Sequence, residues 1–325
     1  MIPFQYSKAT TANDAMQQGA APHTSLLAGG TTLIDLMKLD VMTPTRLVDI
    51  NSLPLSKIEI RPDGVRIGAM VRNSDLAHNE TIKKNYAALS QALLSGASPQ
   101  LRNMATTGGN LMQRTRCYYF RDTNYACNKR NLGSGCAAME GFNRIHAVLG
   151  GSDKCIAVHP SDMAVAMLAL DATVQIQGSG GTRNVPLNDF HLLPGETPQL
   201  ETVVKPGELI LSVTLPQMGP PKKSAYVKLR DRASFEFALA SCAAALGMDG
   251  NTIKVARVAL GGVATKPWLS SEAEASLTGK PANDATFKAA AEAALQQAKP
   301  SKHNAYKITL AKMAIVRALR EAVKA

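Results

Sequence analysis

Apolar positions along the chain follow two rhythms, one of about two residues and one of about 3.6, and their alternation predicts the elements. A short strand and a helix over 11–19 open the sequence. "SLLA", Ser25–Ala28, reads as a strand that runs into Gly29-Gly30, and Leu33, Leu36, Met37 and Leu39 then give segment 31–39 a helical stripe. Strands are expected at "RLVDI" (46–50) and on either side of Asp63-Gly64 in "KIEIRPDGVRIGAMV" (57–71), because Asp-Gly favours a tight hairpin. Helices are expected at 73–78 and 82–94. A second glycine pair stands in "ATTGGN", Ala105–Asn110.

Farther on, "HPSDMAVAMLAL" (159–170) reads as a helix capped by Ser161 or Asp162, and "ATVQIQG" (172–178) as a strand. More strands are expected at 208–216 and 225–231. The segment 237–263 forms a long hairpin around Asp249-Gly250, and helices over 270–277, 284–297 and 305–323 close the chain.

A length of 325 residues exceeds the usual size of one hydrophobic core, and the Pro-rich "PQMGPPKKS" (216–224) is the natural linker. The expected division is therefore 1–219 and 220–325. No run of apolar residues is long enough to span a membrane. The N-terminal "MIPFQYSKATTANDAM" lacks a basic start followed by an apolar stretch, so no secretory signal is expected. A net charge of +11 favours anionic partners, whether nucleotides, nucleic acids or an acidic protein face.

Each glycine pair adjoins two threonines, Thr31-Thr32 after the first and Thr106-Thr107 before the second, and the first stands where a strand ends and a helix begins. Backbone N–H groups there can approach a phosphate without side-chain obstruction. Neither turn is a P-loop, since no Lys-Ser or Lys-Thr follows, and neither has the third glycine of the dinucleotide fingerprint. Two such turns together suit a pyrophosphate gripped from two sides, with Asn110 anchoring the second.

Between the second glycine turn and the 159–170 helix lie four of the five cysteines, Cys117, Cys127, Cys136 and Cys155, in a stretch without regular period. Arg102, Arg114, Arg116, Arg121, Lys129, Arg130, Arg144 and Lys154 crowd around them, and Tyr118, Tyr119, Phe120 and Tyr125 interleave. An iron–sulfur cluster, a zinc site and two disulfides all remain open. Zinc loses ground because structural zinc sites draw ligands in pairs roughly 2–4 residues apart, and no such pair occurs. The fifth, Cys242, sits in an apolar strand and reads as core.

These motifs resemble the FAD-binding medium subunits, or domains, of the molybdenum hydroxylases, a family that includes xanthine dehydrogenase and carbon monoxide dehydrogenase. "LLAGGTTLIDLMK" resembles the family's first pyrophosphate loop, "TTGGNL" its second, "HPSDMAVAMLALDATV" its Ser-Asp segment, and "AYVKLRDRASFEFALASCAAAL" the strand beside the flavin ring. The likeness extends over essentially the whole chain. Within the family it is nearest to the FAD subunit of bacterial periplasmic aldehyde oxidoreductases, and the cysteine insertion resembles that of 4-hydroxybenzoyl-CoA reductase, which holds a [4Fe–4S] cluster.

The resemblance implies an α+β fold: an FAD-binding domain of the vanillyl-alcohol-oxidase-like (PCMH) type in two subdomains over 1–219, with an insertion at about 112–158, and a C-terminal α+β domain of the CO dehydrogenase flavoprotein type over 220–325. It implies that Leu26, Leu27, Ala28, Gly29, Gly30, Thr31, Thr32 and Leu33, with Ala105, Thr106, Thr107, Gly108, Gly109 and Asn110, hold the FAD pyrophosphate. Asp162 would bind ribityl or ribose hydroxyls, Lys228 would face the isoalloxazine, and the four cysteines would ligate [4Fe–4S].

The function so implied is electron transfer. A molybdopterin-binding large subunit oxidises an aldehyde, a small [2Fe–2S] subunit relays electrons, and FAD passes them to an external acceptor, with no catalytic acid, base or nucleophile supplied by this chain. The complex would be a heterotrimer, periplasmic as passenger of a signal-bearing partner, or else cytoplasmic. The alternative from another class is a metal-organised basic module that grips nucleic acid through its arginines and aromatics.

Overall fold

The computed structural model describes residues 1–217 and 222–325 and contains three sheets. The first is parallel, in the order Gln5–Lys8, Arg46–Asp49, Thr24–Leu27. The second is antiparallel and five-stranded: Ile58–Arg61, Gly64–Gly68, Leu209–Pro216, Thr173–Gly178, Gly181–Pro186. The third is antiparallel and four-stranded: Trp268–Leu269, Thr252–Gly261, Ala240–Asp249, Lys222–Leu229. Helices alternate with parallel strands in the small first sheet alone, while the two antiparallel sheets carry helices packed over them, which makes the class α+β, as the resemblance implied.

The four-stranded sheet is buried on both faces, and its sequence shows why. Successive side chains point to opposite faces, so Tyr226, Ala243, Ala245 and Ala259 join the core that contains the five-stranded sheet, while Val227, Cys242, Ala244 and Leu260 join a second core. The helix Asp162–Ala169 packs on the first face and the helix Tyr306–Lys324 on the second. The alanine-rich run lets both helices come close. Cys242, fully buried, is the core residue it was expected to be.

Several elements differ from the expected ones. The helix expected over 82–94 is two, Glu80–Asn85 and Ala87–Ser95, because Tyr86 leaves helical geometry (φ −134°, ψ 50°) and its hydroxyl donates to the Pro216 carbonyl at 3.0 Å. The second glycine pair lies inside a short helix, Thr107–Leu111, that the glycines concealed from propensity-based reading. Short helices at Pro99–Met104 and Tyr118–Arg121 and the strand Gly181–Pro186 are additional. Of the proposed linker 216–224, residues 218–221 and the expected boundary at 219/220 lie outside the described residues. Among the described residues no helix is long and apolar enough to cross a membrane.

Candidate functional site

The first glycine turn ends the strand Thr24–Leu27 and leads into the helix Leu33–Lys38. Gly30 has φ +72°, a left-handed conformation that suits glycine. At Gly29 the constraint is proximity: a Cβ there would stand 2.0 Å from the Met104 carbonyl oxygen. The bare backbone of one turn thus lies directly on the chain entering the other. Arg72 reinforces the junction by donating to both Met104 O and Asn51 Oδ1, while Asn51 Nδ2 donates to Ala28 O at 2.9 Å.

Thr106 caps the second turn, its Oγ1 accepting from Gly109 N at 3.2 Å, and Thr107 Oγ1 donates to Val71 O at 3.2 Å. Both threonines are buried, so their hydroxyls hold the turn instead of facing a ligand. Asn110 Oδ1 accepts from Ser161 Oγ at 2.6 Å, and the same Ser161 oxygen caps the next helix by accepting from Ala164 N at 2.9 Å. Ser161, not Asp162, is therefore the cap. The carboxylate of Asp162 is left free to face inward.

One cleft, about 600 Å³, is lined by Thr31, Thr32, Ala105, Gly109, Asn110, Asp162 and Lys228. The remaining residues of the two turns stand behind it: Leu26, Leu27, Ala28, Gly29, Gly30 and Leu33 frame the first, and Thr106, Thr107 and Gly108 are buried within the second. The resemblance gave Asp162 the ribityl or ribose hydroxyls and Lys228 the isoalloxazine. In the fold they pair, with Lys228 Nζ donating to Asp162 Oδ2 at 2.7 Å and to Ser95 O at 3.1 Å, and both side chains are at least nine-tenths buried. The other Asp162 oxygen accepts from Tyr226 OH at 2.5 Å. Burial foremost, then the Asp162 charge, holds the Tyr226 hydroxyl well above its ordinary range. Tyr226 was missed, although it sits two positions from Lys228 on one strand and so on the same face.

Asp35 and Arg116 also line the cleft and were not anticipated as site residues. Asp35 accepts from Arg116 at 2.9 Å and from Arg121 at 2.8 and 3.0 Å, which ties the helix after the first glycine turn to the cysteine segment. The Arg121 hydrogen bonds hold the Asp35 carboxyl below the usual carboxylate range. Arg116 lies over the Phe237 ring, 4.8 Å from its centre. Past Arg116 and Phe237 a second cavity of about 200 Å³ shares a wall with the cleft and reaches Cys117 and His146.

All four insertion cysteines line one small cavity, about 10 Å³, and all are free thiols. Cys127 and Cys136 face each other across an isolated antiparallel bridge. Burial pushes the Cys117 thiol up to about 12 and raises those of Cys136 and Cys155. Among the described residues no three His, Cys, Asp or Glu side chains are grouped so as to hold a single metal ion.

The basic crowd is largely committed to partners. Lys129 donates to Pro198 O at 2.9 Å and Glu201 Oε1 at 3.0 Å, Arg114 pairs with Glu201, and Arg144 grips Asp231 at 2.7 and 2.8 Å. Arg130 donates to the carbonyls of Tyr119, Phe120 and Tyr125. Of the aromatics, Phe120 is buried in the insertion's own core and Tyr119 packs edge-on against Tyr125, with ring centres 5.0 Å apart. This arrangement braces a loop, and it does not favour the nucleic-acid alternative, which needs free cations and open stacking faces.

Residues 2–218 match the family described as the FAD binding domain in molybdopterin dehydrogenase, and residues 224–322 match the CO dehydrogenase flavoprotein C-terminal domain. The chain is 52% identical to the aldehyde oxidoreductase FAD-binding subunit PaoB of Escherichia coli (strain K12), over 99% of each chain. It is 29% identical to the glyceraldehyde dehydrogenase medium chain of Sulfolobus acidocaldarius, over 98% of each. Among solved structures, carbon monoxide dehydrogenase from Hydrogenophaga pseudoflava aligns with a TM-score of 0.79 at 27% identity, covering 100% of this chain and 99% of that one.

Proposed function

The chain belongs to the FAD-binding medium subunits of the molybdenum hydroxylases, and on that premise we propose that it is the electron-transfer flavoprotein of a multi-subunit aldehyde oxidoreductase. The observation that carries this reading is the meeting of both glycine turns with Asp162 and Lys228 on one cleft.

The residues present fit FAD. The cleft is large enough for a dinucleotide, its floor is turn backbone carrying little side chain, and its polar groups are pre-positioned by Ser161, Tyr226 and Asn51. Ala28–Leu33 and Ala105–Asn110 would hold the pyrophosphate, and the Asp162–Lys228 pair would orient the hydroxyls and the ring. Bound there, FAD supplies two-electron redox chemistry. This chain binds, orients and shields it, and the hydroxylation belongs to a partner.

The donor set supports a [4Fe–4S] cluster over zinc: four thiols line one small cavity, and none of them comes in the close sequence pairs from which structural zinc sites draw their ligands. Cys117, Cys127, Cys136 and Cys155 would each hold one iron, and Lys129, whose side chain reaches the cavity wall, would offset negative charge. Such a cluster supplies one-electron storage and braces the insertion, the bracing being the role favoured here. Cys127→Ser separates the two: unchanged kinetics of flavin reduction by substrate would exclude an obligatory relay.

The partners proposed are a molybdopterin-binding large subunit and a small [2Fe–2S] subunit, in a heterotrimer carried to the periplasm by a signal on a partner chain. The likeness to an aldehyde oxidoreductase subunit along the full chain supports the assembly. Anaerobic purification tests the reading, since it requires two further polypeptides copurifying and, per complex, one FAD with at least ~6 iron and ~6 sulfide, ~4 of each from this chain and the rest from the [2Fe–2S] subunit. A flavin-free native protein would overturn it. Fractionation of cells with and without the partner's signal segment tests the location.

A further inference from the structure

We propose that His146 is a positioning residue that sets the electron affinity of the four-cysteine centre through an N–H···S hydrogen bond to Cys117. This rests on the reading that those four thiolates hold a [4Fe–4S] cluster. His146 Nε2 lies 3.1 Å from Cys117 Sγ, and both residues are buried, at 1% and 7% exposure. A thiolate bound to iron has lone pairs and no proton. The shared hydrogen must therefore sit on Nε2, and the imidazole is the donor.

The ring's other nitrogen, Nδ1, is buried without a partner among the described residues. Cys117 is thus the only polar neighbour that the ring addresses, and the loop around it is built to keep it there. His146 N donates to Asn143 O at 3.0 Å. Its carbonyl accepts from Lys307 Nζ at 3.0 Å and from Asn304 Nδ2 at 3.2 Å. Lys307 also donates to Ile145 O at 2.9 Å and Gly262 O at 2.5 Å, and Asn143 Oδ1 accepts from His303 N at 2.9 Å.

A fully buried lysine is costly to the fold. Here it is spent on two carbonyls of the loop that presents His146 and on one of the adjoining sheet. The start of the closing helix thereby fixes the imidazole over the sulfur. A hydrogen bond to a cluster sulfur withdraws electron density from it and favours the reduced state. In a dry pocket that effect is not diluted by water.

The test uses the complex purified without oxygen, with the cluster followed by electron paramagnetic resonance during a redox titration. His146→Leu and His146→Phe remove the donor, and His146→Gln keeps an amide N–H near the position of Nε2. The expected result is a cluster of unchanged iron and sulfide content in a donor-less variant. Its ratio of reduced to oxidised cluster at a given poise should fall about tenfold, equivalent to ~59 mV for one electron, while the glutamine variant stays near the parent. A loaded donor-less variant with the parent's potential overturns the proposal. So does loss of the cluster in both donor-less variants, which would make His146 a scaffold only. A parent complex whose iron and sulfide are fully accounted for by the [2Fe–2S] subunit would instead remove the cluster reading itself, and is told apart by analysis before any titration.

Discussion

Arg121 holds Asp35 through two N–H···O bonds of 2.8 and 3.0 Å, joining the cysteine insertion to the helix that follows the first glycine turn. Asp35 also borders the cleft, so the insertion and the flavin site share a wall. Asp35→Asn should weaken FAD binding about 3–10-fold, the range of a partly exposed ion pair, and the penalty should shrink as salt is added. Fluorescence titration of the flavin-stripped chain measures this. Equal affinities in the two proteins would show that the link carries no binding energy.

Gly29→Ala places a methyl group into the Met104 carbonyl, and the two turns must separate to admit it. A loss of ~1–3 kcal/mol in stability is expected, with poor flavin retention. Gly180, whose added Cβ would meet nothing within 4 Å and whose φ is not positive, serves as control and should tolerate alanine. Denaturant unfolding and bound flavin per chain report both.

Lys228→Met strands the Asp162 carboxylate in a buried site and should cost ~3–5 kcal/mol together with most of the flavin. Adding Asp162→Asn removes the stranded charge while leaving an acceptor for Tyr226. The double variant should therefore be more stable than the single one. If it is less stable, burial of an unpaired charge is not the source of the loss.

His191 is buried and His159 half-buried, with ring centres 4.4 Å apart, and desolvation pushes His191 down to about 4 and His159 well below the ordinary histidine value. Between pH ~6.5 and ~4 the unfolded chain takes up protons that the folded one refuses. Stability must then fall as the pH drops through that window, and it is regained above pH ~6.5. His191→Gln keeps a donor for the Leu111 carbonyl and removes one titrating group, so its stability should decline less steeply with acid. Urea unfolding at a series of pH values gives the slopes.

Much of the molecule was legible along the chain because the signals involved are local. Alternation marked the strands on both sides of Asp249-Gly250, side-chain oxygen before an apolar run marked the 162–169 helix, and glycine pairs marked the two turns that meet at the cleft. Local signals also misled where they conflict with packing: the break at Tyr86 is imposed by a distant carbonyl, and the helix over the second glycine pair is held by the Thr106 cap and by Thr107 reaching Val71.

The sequence by itself determined most of the longer elements, the turns able to approach a phosphate, and which segment carries the thiols, since φ preference, capping and periodicity act over a few residues. Only the tertiary structure decided that the four thiols share one cavity, that Lys228 answers Asp162 from 66 positions away, that Arg121 reaches Asp35 across 86, and that His146 stands over Cys117. Those pairings depend on sheet register and on how helices settle into a common core. Both are outcomes of burying the whole chain at once, and no short stretch of residues encodes them.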